Sequence, residues 1–171
     1  MSGRGRPDGP GRPDGPEFEA WYRAAHPALV TTLAVATGDA DVAADAVDEA
    51  LARACERWES LVDPAAWTYR VALNVARRRL RRRALEERLL RRTAPPVDLP
   101  GPTGEMWALV AALPARQREA VALRYAADMT EAQVATAMGV ARGTVSATLR
   151  TAHAALRHAL EPAPDDEEVA P

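Results

Sequence analysis

The side chains that could do chemistry in this chain are mainly guanidinium groups, and they are concentrated in one stretch. Residues 70–92 hold 10 arginines against 2 acids, although the whole chain has a net charge of −2. Just before and within this stretch lie Trp67, Tyr69 and Asn74. Rings that stack on bases, an amide for base edges and guanidinium groups for phosphates are what a single-stranded nucleic acid requires. The alternative is a solvated basic helix with Trp67 at least half in the core.

A second candidate site lies in residues 130–160. The spacing of Val145, Leu149 and Ala152 predicts one buried stripe of a helix, and Gly139 predicts a left-handed residue that ends the helix before it. Together they form a helix-turn-helix pattern, whose second helix can enter a DNA major groove. The residues of this second helix that do not lie on the buried stripe are expected to face outward. They are Arg142, Gly143, Thr144, Ser146, Ala147 and Arg150. A helical hairpin that touches no DNA is the alternative.

A third candidate is an acidic helix face. Asp45, Glu49 and Arg53 recur at steps of four, and Asp48 lies alongside them. The opposite side of this helix is apolar. The face could bind a partner protein, or it could be a solvated surface with a Glu49–Arg53 ion pair worth a few tenths of a kcal/mol.

Composition predicts an all-α protein and gives no sign of an enzyme. The chain lacks Ile, has a single Phe and shows no alternating β-branched runs, which argues against a sheet. Cys55 is the only cysteine, so no disulfide can form within the chain. The histidines at 26, 153 and 158 form no recognisable catalytic or metal-binding pattern, so no cofactor or metal is expected. The absence of a long apolar run and of a signal-peptide core favours a cytoplasmic protein.

The predicted elements divide the chain into two helical units. Helices are expected over 17–37, with Pro27 as a kink or break, over 39–58 with Asp39 as the cap, and from Pro64 through residue 92. Predicted inward residues are Phe18, Trp21, Tyr22, Ala25, Leu29, Leu33, Val42, Ala46, Ala50, Ala54, Trp67, Val71, Val75, Leu80, Leu85, Val121, Leu123, Tyr125, Leu156 and Leu160. The predicted organisation is a disordered arm (1–16), a first domain (17–92), a Pro/Gly linker (93–104), a second domain (105–160) and an acidic disordered tail (161–171).

Taken together, these segments resemble the extracytoplasmic-function class of bacterial sigma factors, in the sigma-70 family. The segments DVAADAVDEALARACERW, DPAAWTYRVALNVARRRLRRR and ALPARQREAVALRYAADMTEAQVATAMGVARGTVSATL are similar to regions 2.2, 2.3–2.4 and 4 of that family. The resemblance implies a factor that binds core RNA polymerase through the β′ clamp helices and the β flap, recognises promoter DNA and melts it. It also leaves room for an anti-sigma factor.

The resemblance assigns roles by position. Asp45, Asp48, Glu49 and Arg53 would contact polymerase. Trp58, Asp63, Trp67, Arg70, Asn74, Arg77, Arg78 and Arg81 would capture and melt the −10 element. The outward residues of the second helix in the hairpin would bind the −35 element.

Two other functions stay open, and one of them rests on a departure from the family pattern. Where the family has a Lys-Ser-Arg-like run, this chain has Ser146-Ala147-Thr148, and Ala141 replaces the Ser that usually caps the helix. The chain could therefore be a degenerate sigma-like protein that binds a partner but not DNA. An autonomous helix-turn-helix regulator is the other alternative, although it leaves the arginine-rich segment unexplained.

Overall fold

The computed structural model describes residues 16–90 and 105–161, and these residues form helices and turns with no strand. The first group comprises α1 (Pro16–Thr37), α2 (Ala40–Cys55), a 3₁₀ turn (Trp58–Ser60) and α3 (Pro64–Leu90). The second comprises α4 (Glu105–Ala112), α5 (Ala115–Val121) with a π-helical turn (Ala122–Ala126), α6 (Glu131–Met138) and α7 (Arg142–Leu160). The all-α prediction is confirmed. The predicted arm, apart from Pro16, the linker and the tail beyond Glu161 lie outside the described residues.

Short local signals set several helix ends, and those at Asp39 and Gly139 are as the sequence predicts. Gly38 has φ +76° and ends α1, and Gly139 has φ +68° and ends α6. Asp39 caps α2 by accepting from the Val42 amide at 2.9 Å. Thr130 and Gln133 form a reciprocal capping box at the start of α6. The end at Gly139 matters for the site, because it sets the direction in which the chain leaves α6 towards α7.

Small residues let the first three helices approach closely. Ala43, Ala46, Ala50 and Ala72 are fully buried between α1, α2 and α3. The second group packs onto this bundle, with α6 against α3 and α5 against α1. Buried residues of both groups form one continuous hydrophobic cluster. No helix within the described ranges is long and apolar enough to cross a membrane.

Several predicted boundaries and inward positions are wrong. Residue 16 begins α1 instead of ending the arm. Of the two outcomes predicted at Pro27, a kink or a break, the break does not occur, because Pro27 lies on the exposed side, where water can satisfy the freed carbonyl. α2 ends at Cys55 instead of Trp58, because the chain tightens into the 3₁₀ turn. Tyr22, Leu85, Tyr125 and Leu160, predicted inward, are exposed.

Tyr69 is the opposite case. The sequence placed it on the nucleic-acid face, but it is buried with 4% exposure. Its ring lies under α1, and its hydroxyl donates to the Ala28 carbonyl at 3.4 Å. Burial raises the pKa of this hydroxyl, an effect partly opposed by its hydrogen bond with Thr32. Tyr69 is therefore a core residue and cannot stack on a base.

Candidate nucleic-acid and polymerase interfaces

The face of α7 that points away from the core carries the predicted −35 residues. Val145, Leu149 and Ala152 are buried on the other side. The exposed residues are Arg142, Gly143, Thr144, Ala147 and Arg150, and Ser146 is half-buried. Ala141 precedes the helix without any side-chain cap, as its type predicts. The first turn of α7 is thus open to an outside ligand.

A carboxylate that sequence reasoning overlooked lies at the edge of this face. Glu131, the first residue of α6, accepts a hydrogen bond from the Ser146 hydroxyl at 2.5 Å. The same carboxylate oxygen lies 3.8 Å from Nε of Arg142. The sequence shows Glu131 only as an acid beside the capping Thr130, and nothing in the spacing places it against α7. Its contacts depend on how the two helices cross.

The front of α3 presents part of the predicted −10 set to solvent. Arg70, Asn74, Arg78 and Arg81 are exposed. Trp67 is half-buried, and the Arg57 guanidinium lies 5.4 Å from the centre of its ring. The Arg57 guanidinium thus covers one side of the Trp67 ring, and only the uncovered part of the ring could contact a base.

Two further members of that set are engaged by the second group of helices. Arg77 donates to Glu119 through two parallel bonds, Nε to Oε1 at 2.9 Å and Nη2 to Oε2 at 2.6 Å. Asp63 caps α3 through the Ala66 amide at 2.9 Å and accepts from Nε2 of Gln133 at 3.0 Å. Both side chains therefore serve the contact between the two groups in this structure.

Trp58 belongs to an aromatic cluster. Its ring centre lies 5.3 Å from that of Phe18 and 5.0 Å from that of Trp21. Edge-to-face and tilted arrangements of this kind stabilise the contact beyond the area they bury. Trp58 therefore anchors the start of α1 to the 3₁₀ turn, and it is not a free ring.

Arg118 ties the two groups together at a helix end. Its guanidinium donates to the carbonyls of Ala36 and Thr37 at the end of α1, at 3.1 and 3.2 Å. It also donates to the carbonyls of Ala111 and Leu113 at the end of α4, at 2.9 and 3.3 Å. A cation is favoured at the negative end of a helix dipole. Burial lowers the pKa of Arg118, and the neighbouring Glu119 opposes that change.

The predicted polymerase face on α2 is linked to α3. Arg79 pairs with Asp45 and donates to Glu49 at 3.1 Å, and Glu49 also accepts from Arg53 at 2.5 Å, which confirms the predicted ion pair. Asp48 lies 3.0 Å from the His26 ring nitrogen and remains mostly exposed. Sequence reasoning grouped Arg79 with the other arginines. The structure instead places it on the acidic side, where it holds two carboxylates in position.

Comparisons with known proteins agree with this geometry. The model of Sigma-70 region 2 matches residues 18–86, and the model of Sigma-70, region 4, matches residues 103–156. The RNA polymerase sigma-E factor of Streptomyces antibioticus is 33% identical over 159 residues, which cover 85% of this chain and 85% of that protein. The sigma-E factor of Streptomyces coelicolor is 32% identical over 158 residues, covering 84% of this chain and 86% of that protein.

Two solved structures share the fold. The sigma factor RpoE of Bartonella quintana, in complex with the anti-sigma factor NepR, has a TM-score of 0.72 at 22% identity, covering 83% of this chain and 95% of that one. CnrH, in complex with the cytosolic domain of CnrY, has a TM-score of 0.60 at 22% identity, covering 87% and 92%. At this identity the likeness concerns the arrangement of helices alone.

Proposed function

Because this chain belongs to the sigma-70 family and is an RNA polymerase sigma factor of the extracytoplasmic-function class, we propose specific roles for its surfaces. It binds core RNA polymerase through Asp45, Asp48, Glu49 and Arg53, melts the −10 element with the exposed face of α3, and binds the −35 element with α7. It acts in the cytoplasm, where the polymerase is, and it supplies specificity without a catalytic step of its own.

The observation that carries this proposal is the separation of three charged surfaces on one chain. The outward face of α7 is cationic at Arg142 and Arg150, and the exposed face of α3 is cationic at Arg70, Arg78 and Arg81. The α2 face is acidic and lies on a different helix, where Arg79 of α3 pairs with Asp45 and Glu49. Cationic faces suit phosphates, whereas an acidic face suits a partner protein with basic side chains.

Residues 17–92 and 105–160 act in this proposal as two promoter-binding domains, joined by residues 93–104. Arg77 and Asp63 cannot hold Glu119 and Gln133 and contact DNA at the same time. We therefore infer that the two domains separate when the factor engages a promoter. The linker is long enough for this, since 12 residues at about 3.1 Å each reach roughly 35–40 Å when extended.

An anti-sigma partner is also part of the proposal. Both solved neighbours were determined as complexes, one of them with an anti-sigma factor, and both cover most of this chain. A partner that holds the domains together would keep Arg77 and Asp63 away from DNA. This would leave the factor inactive until the partner is released.

Co-purification with core polymerase, followed by run-off transcription, tests the function directly. We expect the full chain to assemble with core enzyme and to support initiation on a subset of promoters. Assembly without transcription on any promoter of a genomic library would favour the partner-only alternative. Specific promoter binding without core enzyme would favour the autonomous regulator.

A further inference from the structure

The contact between Glu131 and the recognition helix has a consequence for base selection. Ser146 has one hydroxyl proton, which it donates to the Glu131 carboxylate. A carboxylate acceptor makes such a hydrogen bond charge-assisted. Among the residues that the structure describes, the other acceptor near this hydroxyl is the Arg142 carbonyl, which is farther away at 3.3 Å. The proton is therefore committed to Glu131, and Ser146 can present only lone pairs to DNA.

Glu131 itself adds a second acceptor at the same place. Its Oε2 holds both Ser146 and the nearby Arg142, whereas its Oε1 receives no hydrogen bond from the residues described. About one third of the side chain is exposed, with 35% relative accessibility. The edge of the α7 face thus offers two adjacent acceptors, with the Arg142 donor fork close by.

The major groove contains one base pair that matches this pattern. Cytosine presents its N4 amino donor, and its partner guanine presents the O6 and N7 acceptors next to it. Guanine or thymine in place of the cytosine would direct an acceptor at Ser146 and Glu131. Adenine also offers an amino donor, but its N7 acceptor lies beside that donor. This N7 would face the Glu131 carboxylate, so that two acceptors would lie opposite each other.

We propose that Glu131 is a specificity-determining residue, which with Ser146 selects cytosine at one position of the −35 element. Arg142 then faces the guanine of the same or the neighbouring pair. This inference rests on the proposed −35 role of α7. The inference gives α6 a part in base selection, because the Glu131 carboxylate is an acceptor that the outward residues of α7 do not provide.

The test is selection by reconstituted holoenzyme from a promoter library randomised across the −35 element. We expect the wild-type factor to enrich cytosine over guanine and thymine at one position by at least about fivefold. Glu131→Gln adds an amide donor, and Ser146→Ala removes the hydroxyl. Both should reduce the preference at that position to about twofold or less, with the other positions unchanged.

Asp128→Asn is the matched control, because it removes the same charge from the same domain. Asp128 is fully exposed, its contact with Arg124 is long at 3.9 Å, and Asn tolerates its positive φ of 50°. Ser146→Thr keeps the hydroxyl and should keep the preference. Thermal unfolding of each variant checks that α6 and α7 still fold.

The outcomes separate the inference from the function on which it rests. If the wild-type holoenzyme enriches a −35 sequence without cytosine, or if Glu131→Gln leaves the cytosine preference intact, Glu131 has no part in selection. If the wild-type holoenzyme selects nothing at any −35 position, the base-reading role of α7 fails as well. Loss of the preference in Asp128→Asn would show that net charge alone is responsible.

Discussion

Arg77 and Glu119 lie 42 positions apart and are joined by a bidentate ion pair between the two helical groups. Both side chains are largely buried, at 17% and 7% exposure. Removing one partner of a buried pair typically costs about 3–5 kcal/mol, because the other charge is left without a partner. Losing one of these two side chains should therefore weaken the contact between the groups, and the intact pair withholds one arginine from DNA.

The first prediction follows from this pair. Glu119→Arg places two guanidinium groups together and should separate the groups in the free protein. We expect a larger radius of gyration by small-angle X-ray scattering, with the helical circular-dichroism signal retained. The exchange Arg77→Glu with Glu119→Arg restores opposite charges and should return the radius towards the wild-type value. A single variant as compact as the wild type would contradict the prediction.

The second prediction concerns polymerase binding. Asp45→Arg with Glu49→Arg reverses the acidic face and should abolish co-purification with core enzyme. Loss of the Arg79 contacts should cost only about 1 kcal/mol per pair, because these side chains are partly exposed. Glu56→Arg, a charge reversal at the exposed end of the same helix, is the control and should assemble normally. Normal assembly of the double variant would show that the acidic face is only solvated.

The third prediction concerns strand opening. Asn74 is exposed on the front of α3, so Asn74→Ala should leave stability unchanged while it slows opening or alters the preferred −10 sequence. A bidentate contact between a side-chain amide and a base edge contributes about 1–3 kcal/mol of discrimination. Permanganate footprinting of the holoenzyme on a cognate promoter measures the opening. Unchanged reactivity together with unchanged base preference would exclude the role.

Trp58 provides a contrast in the same assay. Because its ring packs on Phe18 and Trp21, Trp58→Ala should lower the melting temperature as well as affect opening. A defect in opening without any loss of stability would mean that the ring acts on DNA directly.

The fourth prediction concerns affinity for the −35 element. Arg150 is exposed, and Arg150→Ala should weaken holoenzyme binding by about 1–3 kcal/mol and relax selection at one position. Ser146→Lys adds a cation, but Glu131 lies where it would pair with that ammonium group. The gain in non-specific binding should therefore be small, and it should grow when Glu131→Gln is added. Filter binding over a range of salt concentrations measures both effects.

The fifth prediction concerns alkaline pH. Burial raises the pKa of Tyr69 above its ordinary value of 10.0, so the unfolded chain ionises this hydroxyl before the folded protein does. The contribution of the neutral Tyr69 hydroxyl to the free energy of unfolding is fully present below about pH 10. It is lost as the pH rises towards the pKa of the folded state, by about 1.4 kcal/mol per pH unit. Urea unfolding between pH 8 and pH 11 measures the free energy of unfolding, and Tyr69→Phe should remove this part of its decline. An equal decline in both proteins would contradict the assignment.

Local signals made much of the fold predictable. Gly139 and Asp39 fix helix ends through their own backbone and nearest neighbours, and the structure confirms both predictions. Tyr69 and Tyr125 were placed on the wrong side because an aromatic ring suits a core or a surface equally well. Their positions depend on which helix packs beside them.

The candidate sites show the same division. The outward face of α7 followed from a single periodicity within one helix, and its exposure is as predicted for all members except the half-buried Ser146. The partners of Arg77 and Ser146 could not be predicted, because they come from other helices and depend on tertiary contacts. An arginine count likewise could not distinguish Arg79, which faces the carboxylates of α2, from Arg78, which faces solvent.

Arg118 has a consequence for how the chain unfolds. One guanidinium terminates both α1 and α4, the first helix of each group, through four carbonyl oxygens. Because Arg118 itself lies in α5, the end of α1 loses two of these hydrogen bonds if the second group departs, whereas the end of α4 keeps its own. The thermodynamic cooperativity of the closed protein therefore extends across both groups. A denaturant titration should show one steep transition for the closed chain, and Arg118→Ala should split it into two shallower ones.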